Sequence, residues 1–128
     1  MKKIEVITTK KSEMVNITAL VQQIVSDLFP PDGTITVFVP HTTCGITITE
    51  NIDTDVGIDT LAALDAAVPW SQPFYKHNGG NSAAHIKTSM IGNSVSLIVD
   101  GGDIQLGIWQ GIFLCEFDGP RTRHIWVG

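Results

Sequence analysis

The middle of the chain lacks basic residues altogether. No lysine or arginine lies between Ser12 and Tyr75, whereas this stretch contains eight acidic residues, and the formal net charge of the chain is -5. A nucleic-acid-binding protein needs a basic face to neutralise phosphates, so nucleic acid is not an expected partner. The acidic stretch could bind a cation, although an ordinary solvated surface is the simpler interpretation.

Cysteine is scarce as well. Cys44 and Cys115 are the only two, too few for a disulfide scaffold, and we interpret both as small core residues. Lys2 and Lys3 are not followed by the apolar segment of a signal peptide, and no apolar run approaches the ~20 residues of a membrane span. We therefore expect a reducing, cytoplasmic location and no membrane partner.

The length and composition suit one domain with a substantial core. The chain has 128 residues, of which 43% are hydrophobic and 16% are charged, and single domains typically contain ~100–200 residues. This apolar fraction exceeds what a small monomer usually needs. We therefore expect one domain over residues 1–128, with some apolar surface covered by another copy of the chain.

Three segments have helical periodicity and capping residues. The first starts at Asn16 and continues to Phe29; the second starts at Asp53 or Asp55 and continues to Val68; the third starts at Asn81 or Ser82, and Gly92 ends it. Strands are predicted at 4–9, 34–39, 41–49, 94–99, 105–117 and 121–127, with residues 118–120 turning the last two into a hairpin. The elements do not alternate as regular βαβ units, so we predict an α+β fold with mostly antiparallel sheet.

The predicted 105–117 strand is apolar on both faces. Leu106 and Leu114 lie on one face and Trp109 and Phe117 on the other. A strand of this kind must be covered on both sides. One of the two covers could come from a second subunit.

Histidines are the leading candidates for chemistry. His41 opens the predicted 41–49 strand, where period-two alternation places it opposite Cys44 and so argues against a Cys–His nucleophilic pair. His77 and His85 flank a glycine-rich turn at a predicted helix start, which disfavours protonation of His85. Neutral imidazoles suit a general base or a metal, and three histidines suit an open zinc site with water as fourth ligand. The same turn could instead bind an anion through backbone N–H groups.

Glu50 and Asn51 follow the predicted His41 strand, where functional side chains often lie. Glu50 could act as a general base or metal ligand, or could simply be a surface carboxylate. Asp53 and Asp55 resemble the start of a calcium loop. That loop would need glycine where Ile58 stands and glutamate at its end, so helix capping explains the aspartates better.

The C-terminal segment combines acids and arginines. Glu116 and Asp118 precede Arg121 and Arg123, and opposed pairs of this kind predict cross-strand salt bridges or, alternatively, an arginine clamp for phosphate or carboxylate. Gln110 interrupts an apolar face beside Trp109. A buried amide needs partners, so it would hold a ligand or satisfy the backbone.

Taken together, these blocks resemble a known family, the YjbQ-like proteins, whose members also carry the name secondary thiamine-phosphate synthase. The resemblance covers nearly the whole chain. It rests on Pro40-His41-Thr42-Thr43, Ile46-Thr47-Ile48, Glu50-Asn51, His77, Gly80-Asn81, Ala84-His85-Ile86-Lys87, Ser94 with Leu97, Val99 and Gly102, Gly107-Ile108-Trp109-Gln110 with Ile112, and Glu116 with Asp118-Gly119-Pro120-Arg121 and Arg123. Ile108 departs from the threonine usual in the family, and this change is expected to affect packing.

The resemblance implies a compact α+β fold, a homotrimer, and a pocket in which His41, His77 and His85 gather with a metal. It also implies transfer between a pyrimidine diphosphate and a thiazole phosphate, which needs cations around the phosphates. Because the acidic stretch has none, Lys87, Arg121, Arg123 or a metal would have to supply them.

The first hypothesis is therefore a metal-assisted enzyme acting on a small phosphorylated or anionic substrate. His41, His77 and His85 would bind a divalent ion, with zinc preferred, and Glu50 and His85 would be catalytic. The substrate would be bound by Asn51, Lys87, Gln110, Arg121 and Arg123. The second hypothesis is a non-catalytic homotrimer that holds a metabolite or an ion, and a third is a purely structural trimer.

Overall fold

The computed structural model describes residues 1–128 and contains eight strands and three helices. The helices are α1 (Thr18–Leu28), α2 (Thr54–Ala67) and α3 (Ser82–Ile91). The strands are β1 (Lys2–Ile7), β2 (Glu13–Asn16), β3 (Gly33–Phe38), β4 (Cys44–Glu50), β5 (Ser94–Asp100), β6 (Asp103–Ile104), β7 (Gln110–Glu116) and β8 (Thr122–Val127). The predicted α+β class is confirmed. None of the helices has the length and apolarity needed to cross a membrane.

The strands form two antiparallel sheets that enclose the main core. The larger sheet has the order β1-β8-β3-β5-β6 and the smaller has the order β2-β7-β4. Alternate residues of each strand point inward, so both sheets contribute to one apolar cluster, which α1 completes with Val21, Ile24 and Val25. The opposite face of the smaller sheet is covered by α2 and α3, where Ala84, Cys115 and Phe117 form a second cluster.

The helix predictions are close to the observed bounds because capping chemistry is local. Asp53 caps α2 by accepting the N–H of Asp55, and Asn16 accepts the N–H of Thr18 at the start of α1. Gly92 ends α3 with a φ of 101°, a conformation that favours glycine. The four-residue strand β2 lies just before α1 and has no counterpart among the predictions.

The 105–117 strand is shorter than predicted. It begins at Gln110, because Ile108 and Trp109 belong to an exposed turn in which they are 84% and 59% accessible. Both faces of β7 are covered, as predicted, but by the same chain. Leu114 packs into the main core and Cys115 into the second cluster. This strand therefore requires no cover from a second subunit.

The predicted C-terminal hairpin is wrong. β7 pairs with β2 and β4 in the smaller sheet, whereas β8 pairs with β1 and β3 in the larger one. The chain crosses between the sheets at Gly119, where a side chain would collide with the carbonyl of Lys10 and the side chain of Glu116. Turn residues alone indicate where a chain reverses, but not which sheet the next strand joins.

His41 also lies outside the strand predicted for it. β4 begins at Cys44, whose partner across the ladder is Glu116. Residues 42 and 43 form a bend instead, and the side-chain amide of Asn93 holds the chain just before it by donating to the carbonyls of Val39 and His41 at 3.2 and 2.8 Å. The predicted face shared by His41 and Thr43 is therefore not formed.

Candidate functional site

Six of the nine predicted site residues line three separate depressions. The histidine-pair pocket encloses about 490 Å³ and is lined by Phe74, Tyr75, Lys76, His77, Ser82, His85 and Ile86. The bridge pocket encloses about 500 Å³ and is lined by Phe38, Val39, Pro40, His41, Thr42, Thr43, Asn93 and Arg123. The third, the α2 cavity, encloses about 320 Å³ between α2 and the smaller sheet, and Glu50 and Asn51 line it.

The histidine-pair pocket brings together two of the three predicted histidines. The rings of His77 and His85 meet edge to face with centroids 5.2 Å apart. His77 is presented by the loop between α2 and α3, and His85 by the first turns of α3. Gly79 permits this approach, because a Cβ there would lie 2.6 Å from Nε2 of His77.

Asn81 connects this pocket to the C-terminal segment. Its Nδ2 donates to Oδ2 of Asp118 at 2.9 Å, and Asp118 also accepts from Arg121 at 3.1 Å. Oδ1 of Asn81 is buried and has no hydrogen-bond partner in the chain. Asn81 precedes α3 as predicted, but its side chain does not cap the helix. A buried acceptor without a donor is costly, so this oxygen is suited to receive a hydrogen bond from a ligand or solvent.

A buried ion pair adjoins the bridge pocket, which its arginine, Arg123, lines. Glu116 points inward from β7 and Arg123 from β8, so the pair joins the two sheets, and both side chains are at most 5% accessible. Nε and Nη2 of Arg123 donate to the two carboxylate oxygens at 2.7 and 2.5 Å. Nη2 also donates to Oγ1 of Thr43 at 2.8 Å, and Thr8 donates to Glu116 at 2.9 Å.

The ion pair sets the charge state of both partners. Burial alone raises the pKa of Glu116, but the hydrogen bonds from Arg123, the N–H of Asp118 and Thr8 outweigh it, and the net pKa is lowered. Burial likewise opposes the charge on Arg123, but the hydrogen bond and charge of Glu116 raise its pKa overall. Nη1 of Arg123 makes no hydrogen bond within the chain. It is the only part of this guanidinium left for an anion.

His41 is held as a neutral imidazole. Its Nε2 accepts the backbone N–H of His124 at 2.9 Å, which places the ring proton on Nδ1. Burial and then the charge of Arg123 lower the pKa of His41. In this orientation Nε2 is occupied, so His41 can donate through Nδ1 but cannot offer a free Nε2 to a metal.

Sequence reasoning missed His124. It lies on β8 next to Arg123, with its ring 6.0 Å from that of His41 and its Nε2 3.6 Å from a carboxylate oxygen of Glu5. The alternation of β8 contained the signal, because Arg123, Ile125 and Val127 point inward and His124 must therefore point outward.

The remaining predicted anion-binding residues are engaged elsewhere. Lys87 is only 2% accessible, and its ammonium pairs with Asp65. Arg121 is exposed and binds Asp118, whereas Arg123 is buried against Glu116, so the two arginines do not form one clamp. Gln110 is exposed at the start of β7, where its Oε1 accepts the N–H of Gly107 at 2.8 Å.

The cysteines are core residues, as predicted. Burial and then the charge of Glu116 raise the pKa of Cys44, and burial raises the pKa of Cys115 to about 12. Both thiols are buried and remain protonated near neutral pH. Neither has the thiolate character of a nucleophile.

A three-histidine metal site is not assembled within one chain. His77 and His85 share a pocket, but His41 lines a different one. No group of three histidine, cysteine, aspartate or glutamate side chains is placed to hold a metal ion. One chain thus offers two imidazoles, one short of the three protein ligands of an open zinc site.

Comparison with known proteins settles the family. A family model described as "UPF0047 protein YjbQ-like" matches residues 2–128. The chain belongs to this family. The UPF0047 protein YugU of Bacillus subtilis is 44% identical over 127 residues, which cover 99% of this chain and 96% of YugU. The UPF0047 protein MJ1081 of Methanocaldococcus jannaschii is 44% identical over 125 residues, covering 98% of this chain and 90% of its own.

Solved structures of the family share the fold. A YjbQ/UPF0047-family protein from Clostridium acetobutylicum has a TM-score of 0.96 at 44% identity, with 100% of this chain and 98% of that one covered. The conserved hypothetical protein TT1486 of Thermus thermophilus has a TM-score of 0.93 at 41% identity, with the same coverage. The two-sheet arrangement described above is therefore the arrangement of the family.

Proposed function

We propose that this chain is an enzyme subunit that acts on a small phosphorylated or otherwise anionic substrate in the histidine-pair pocket. The observation that carries the proposal is the edge-to-face pair of His77 and His85 in an open pocket. Two adjacent imidazoles can remove a proton at one point of a substrate and deliver one at another. Lys76 lies beside them in the lining and supplies a positive charge.

The polar groups of this pocket suit an anion more than a cation. The lining includes Lys76, Ser82 and the two histidines, and it contains no carboxylate. Ser82 and His85 lie in the first turn of α3, where the backbone N–H groups and the helix dipole favour negative charge. Phe74 and Tyr75 form an apolar wall, with ring centroids 5.1 Å apart, that could hold the uncharged part of the substrate.

A metal-assisted form of the enzyme needs a ligand from outside the chain. His77 and His85 would be two of the ligands, and the third would come from a neighbouring copy. His41 is the candidate, provided its ring turns to release the N–H of His124. When bound, a divalent ion such as zinc would supply Lewis-acid activation of a phosphoryl or carbonyl oxygen.

The chain has an exposed apolar face through which the proposed homotrimer could assemble. The outer face of the larger sheet is uncovered and carries Ile7 and Ile98, which are 70% and 62% accessible, together with the aromatic pair of Phe38 and Trp126 at 5.5 Å. His124 lies on the same outer face, and Phe38 lines the bridge pocket. A copy packed here would close the bridge pocket and could bring its own histidine pair toward His41.

Synthesis of thiamine phosphate is a weaker candidate. That reaction must stabilise a leaving diphosphate, which takes several cations. Within this chain the ammonium of Lys87 and the guanidiniums of Arg121 and Arg123 are engaged by acidic partners. Lys76 is the one lysine or arginine that lines the histidine-pair pocket. Binding of a diphosphate there would therefore depend on a metal or on a neighbouring copy.

The test combines elemental analysis with an activity assay on the purified oligomer. Wild type, His85→Ala and the control Ser89→Ala, at an exposed position of the same helix outside the pocket lining, are analysed for bound transition metals and assayed with p-nitrophenyl phosphate. We expect turnover in wild type and the control and its loss in His85→Ala, and the metal-assisted form further requires near-stoichiometric metal that His85→Ala lacks. Equal turnover in all three proteins, or none in any, would overturn the proposal.

A second candidate is a non-catalytic homotrimer that retains a metabolite or an ion. The observation that favours it is the unpartnered Oδ1 of Asn81 beside Gly79 and His77, since a buried acceptor suits a held ligand. Mass spectrometry of the denatured wild-type protein would reveal a stoichiometric small molecule or ion that Asn81→Ala lacks, together with an absence of turnover. Turnover in the assay above would exclude this candidate.

A further inference from the structure

The α2 cavity is separate from both histidine-containing pockets. It lies between the first half of α2, the outer face of the smaller sheet, and the segment that joins β1 to β2. Its lining residues are Lys10, Ser12, Glu13, Met14, Asn16, Thr49, Glu50, Asn51, Asp53, Thr54, Gly57, Ile58, Leu61 and Phe113. No histidine is among them, so Glu50 does not act in the same pocket as His77 and His85.

The cavity exists because α2 packs loosely. This 14-residue helix buries none of its residues, although it carries Ile58 and Leu61 on the side that faces the cavity. Beneath it, Phe113 of β7 and Met14 of β2 present an apolar floor that the helix does not fill. The volume of about 320 Å³ lies within the range of small-molecule sites, ~300–1,000 Å³.

The charges around this apolar floor are predominantly negative. Glu13, Glu50 and Asp53 line the cavity against a single lysine, Lys10. Glu13 already accepts two hydrogen bonds from Thr9, and Asp53 caps the helix. The carboxylate of Glu50 has no hydrogen-bond or ion-pair partner in the chain and is therefore free to bind a ligand.

The wall of the cavity also carries neutral polar groups, which can orient a ligand without changing the negative charge of the lining. The side-chain amides of Asn16 and Asn51 are hydrogen-bonded to each other at the wall of the cavity. Gly111 leaves room for the Asn51 side chain, since a Cβ there would lie 2.8 Å from the amide carbon of Asn51. Glu50 is thus held at the end of β4 beside this amide pair and above an apolar floor.

We propose that the α2 cavity binds a small organic cation, an ammonium group attached to a compact apolar body. The ammonium would pair with Glu50, and the apolar body would rest on Phe113, Met14 and Leu61. This assigns Glu50 and Asn51 to a second ligand of opposite charge to the substrate proposed for the histidine-pair pocket.

Benzylammonium is the probe, with benzyl alcohol and benzoate as neutral and anionic controls of similar size. Each is titrated into ¹⁵N-labelled full-length protein, and the amide resonances of Asn51, Gly57 and Phe113 are followed. We expect saturable shifts at these amides for benzylammonium alone, with an affinity that falls as salt is added. Equal binding of benzoate or benzyl alcohol, shifts confined to other surfaces, or no shift at millimolar probe would overturn the proposal.

Charge-removing variants separate the cavity from general acidity. Glu50→Gln should weaken benzylammonium about fivefold, the effect of losing one partly exposed charge pair. Asp59→Asn is the matched control, since it removes the same charge from an exposed position of α2 outside the lining, and it should leave the affinity unchanged. If Glu50→Gln lacks the dispersed spectrum of a folded protein, Glu13→Gln, which removes another carboxylate from the lining, provides a second test. Unchanged affinity in the folded variants would refute the role of the cavity carboxylates.

Discussion

The bridge pocket and the histidine-pair pocket differ in whether their polar side chains have partners within the chain. At the bridge, Glu116 and Arg123 are buried and every hydrogen bond but those of Nη1 is made within the chain. At the histidine pair, His77 is exposed on a loop, and the nearest buried acceptor, Oδ1 of Asn81, has no partner. The first region therefore stabilises the fold, and the second has unused binding capacity.

This difference shows where function is to be sought in the chain. Charged residues are natural candidates for ligand binding when only the sequence is considered. A charge that is already paired inside the fold, however, is not available to a ligand. Arg123 and Lys87 are of this kind. The histidine pair and Glu50 are not, because their side chains face open depressions without internal partners.

Breaking the bridge should have the largest effect on stability. Arg123→Met leaves Glu116 buried without its partner, and losses of this kind cost about 3–5 kcal/mol. Denaturant unfolding followed by circular dichroism measures the change. The control is Arg121→Met, which breaks the exposed pair with Asp118 and should cost at most about 1 kcal/mol.

The double variant Glu116→Leu with Arg123→Met sharpens the same point. Replacing both partners by apolar side chains removes the stranded charge, so most of the lost stability should return. A double variant as unstable as Arg123→Met would show that packing at the sheet junction, and not the unpaired carboxylate, causes the loss.

Removing one hydroxyl from the bridge should have an intermediate effect. Thr43→Val keeps the shape of the side chain but deletes the acceptor that lies 2.8 Å from Nη2 of Arg123. Hydrogen bonds to charged groups contribute about 1.5–3 kcal/mol, and we expect a loss in that range by the same unfolding measurement. The exposed Thr42→Val provides the baseline. Equal stability of the two variants would mean that the backbone carbonyl of Thr43 alone satisfies the guanidinium.

The sequence predicted the local features of the fold well. Asp53 and Gly92 mark helix ends because capping depends on a few neighbouring residues. The pairing of strands depends on distant contacts, and the hairpin predicted across Gly119 fails for that reason: β8 finds its partners in β1 and β3. The strand predicted from His41 fails similarly, because Asn93 from another part of the chain holds the segment just before the bend.

The residues of the candidate site were easier to predict from the sequence than their spatial arrangement. His77 and His85 flank one turn, and their meeting follows from local geometry. Whether His41 joins them depends on the packing of the whole chain, and within one chain it lies in another pocket. The role of Glu116 as the buried partner of Arg123 required knowledge of which strands face each other across the core, which no local pattern contains.

A substitution in the histidine loop should change the pocket with little effect on the fold. Gly79→Ala places a Cβ against Nε2 of His77, and since His77 is exposed its ring can move aside. We expect a loss of stability below about 1 kcal/mol, typical of surface positions. The separation of the two rings should increase, which nuclear Overhauser contacts between His77 and His85 would report. Unchanged contacts would show that Gly79 does not control the pair, and Gly80→Ala is unsuitable as a control because Gly80 has a φ of 74°.

The smallest effect is expected from the titration of His41. Its pKa is lowered in the fold, by burial first and then by the charge of Arg123, so the native state binds fewer protons than the unfolded chain below the ordinary value of 6.5. The free energy of unfolding should therefore fall as the pH drops from 6.5 through the lowered pKa. Its slope against pH should correspond to a difference of less than one bound proton. Glu116, whose pKa is also lowered, adds its own loss only below its ordinary value of 4.5. Between these values His41→Gln, which retains an acceptor for the N–H of His124 but does not titrate, should show a flatter dependence of unfolding free energy on pH. An unchanged slope would mean that His41 is not held neutral by the bridge.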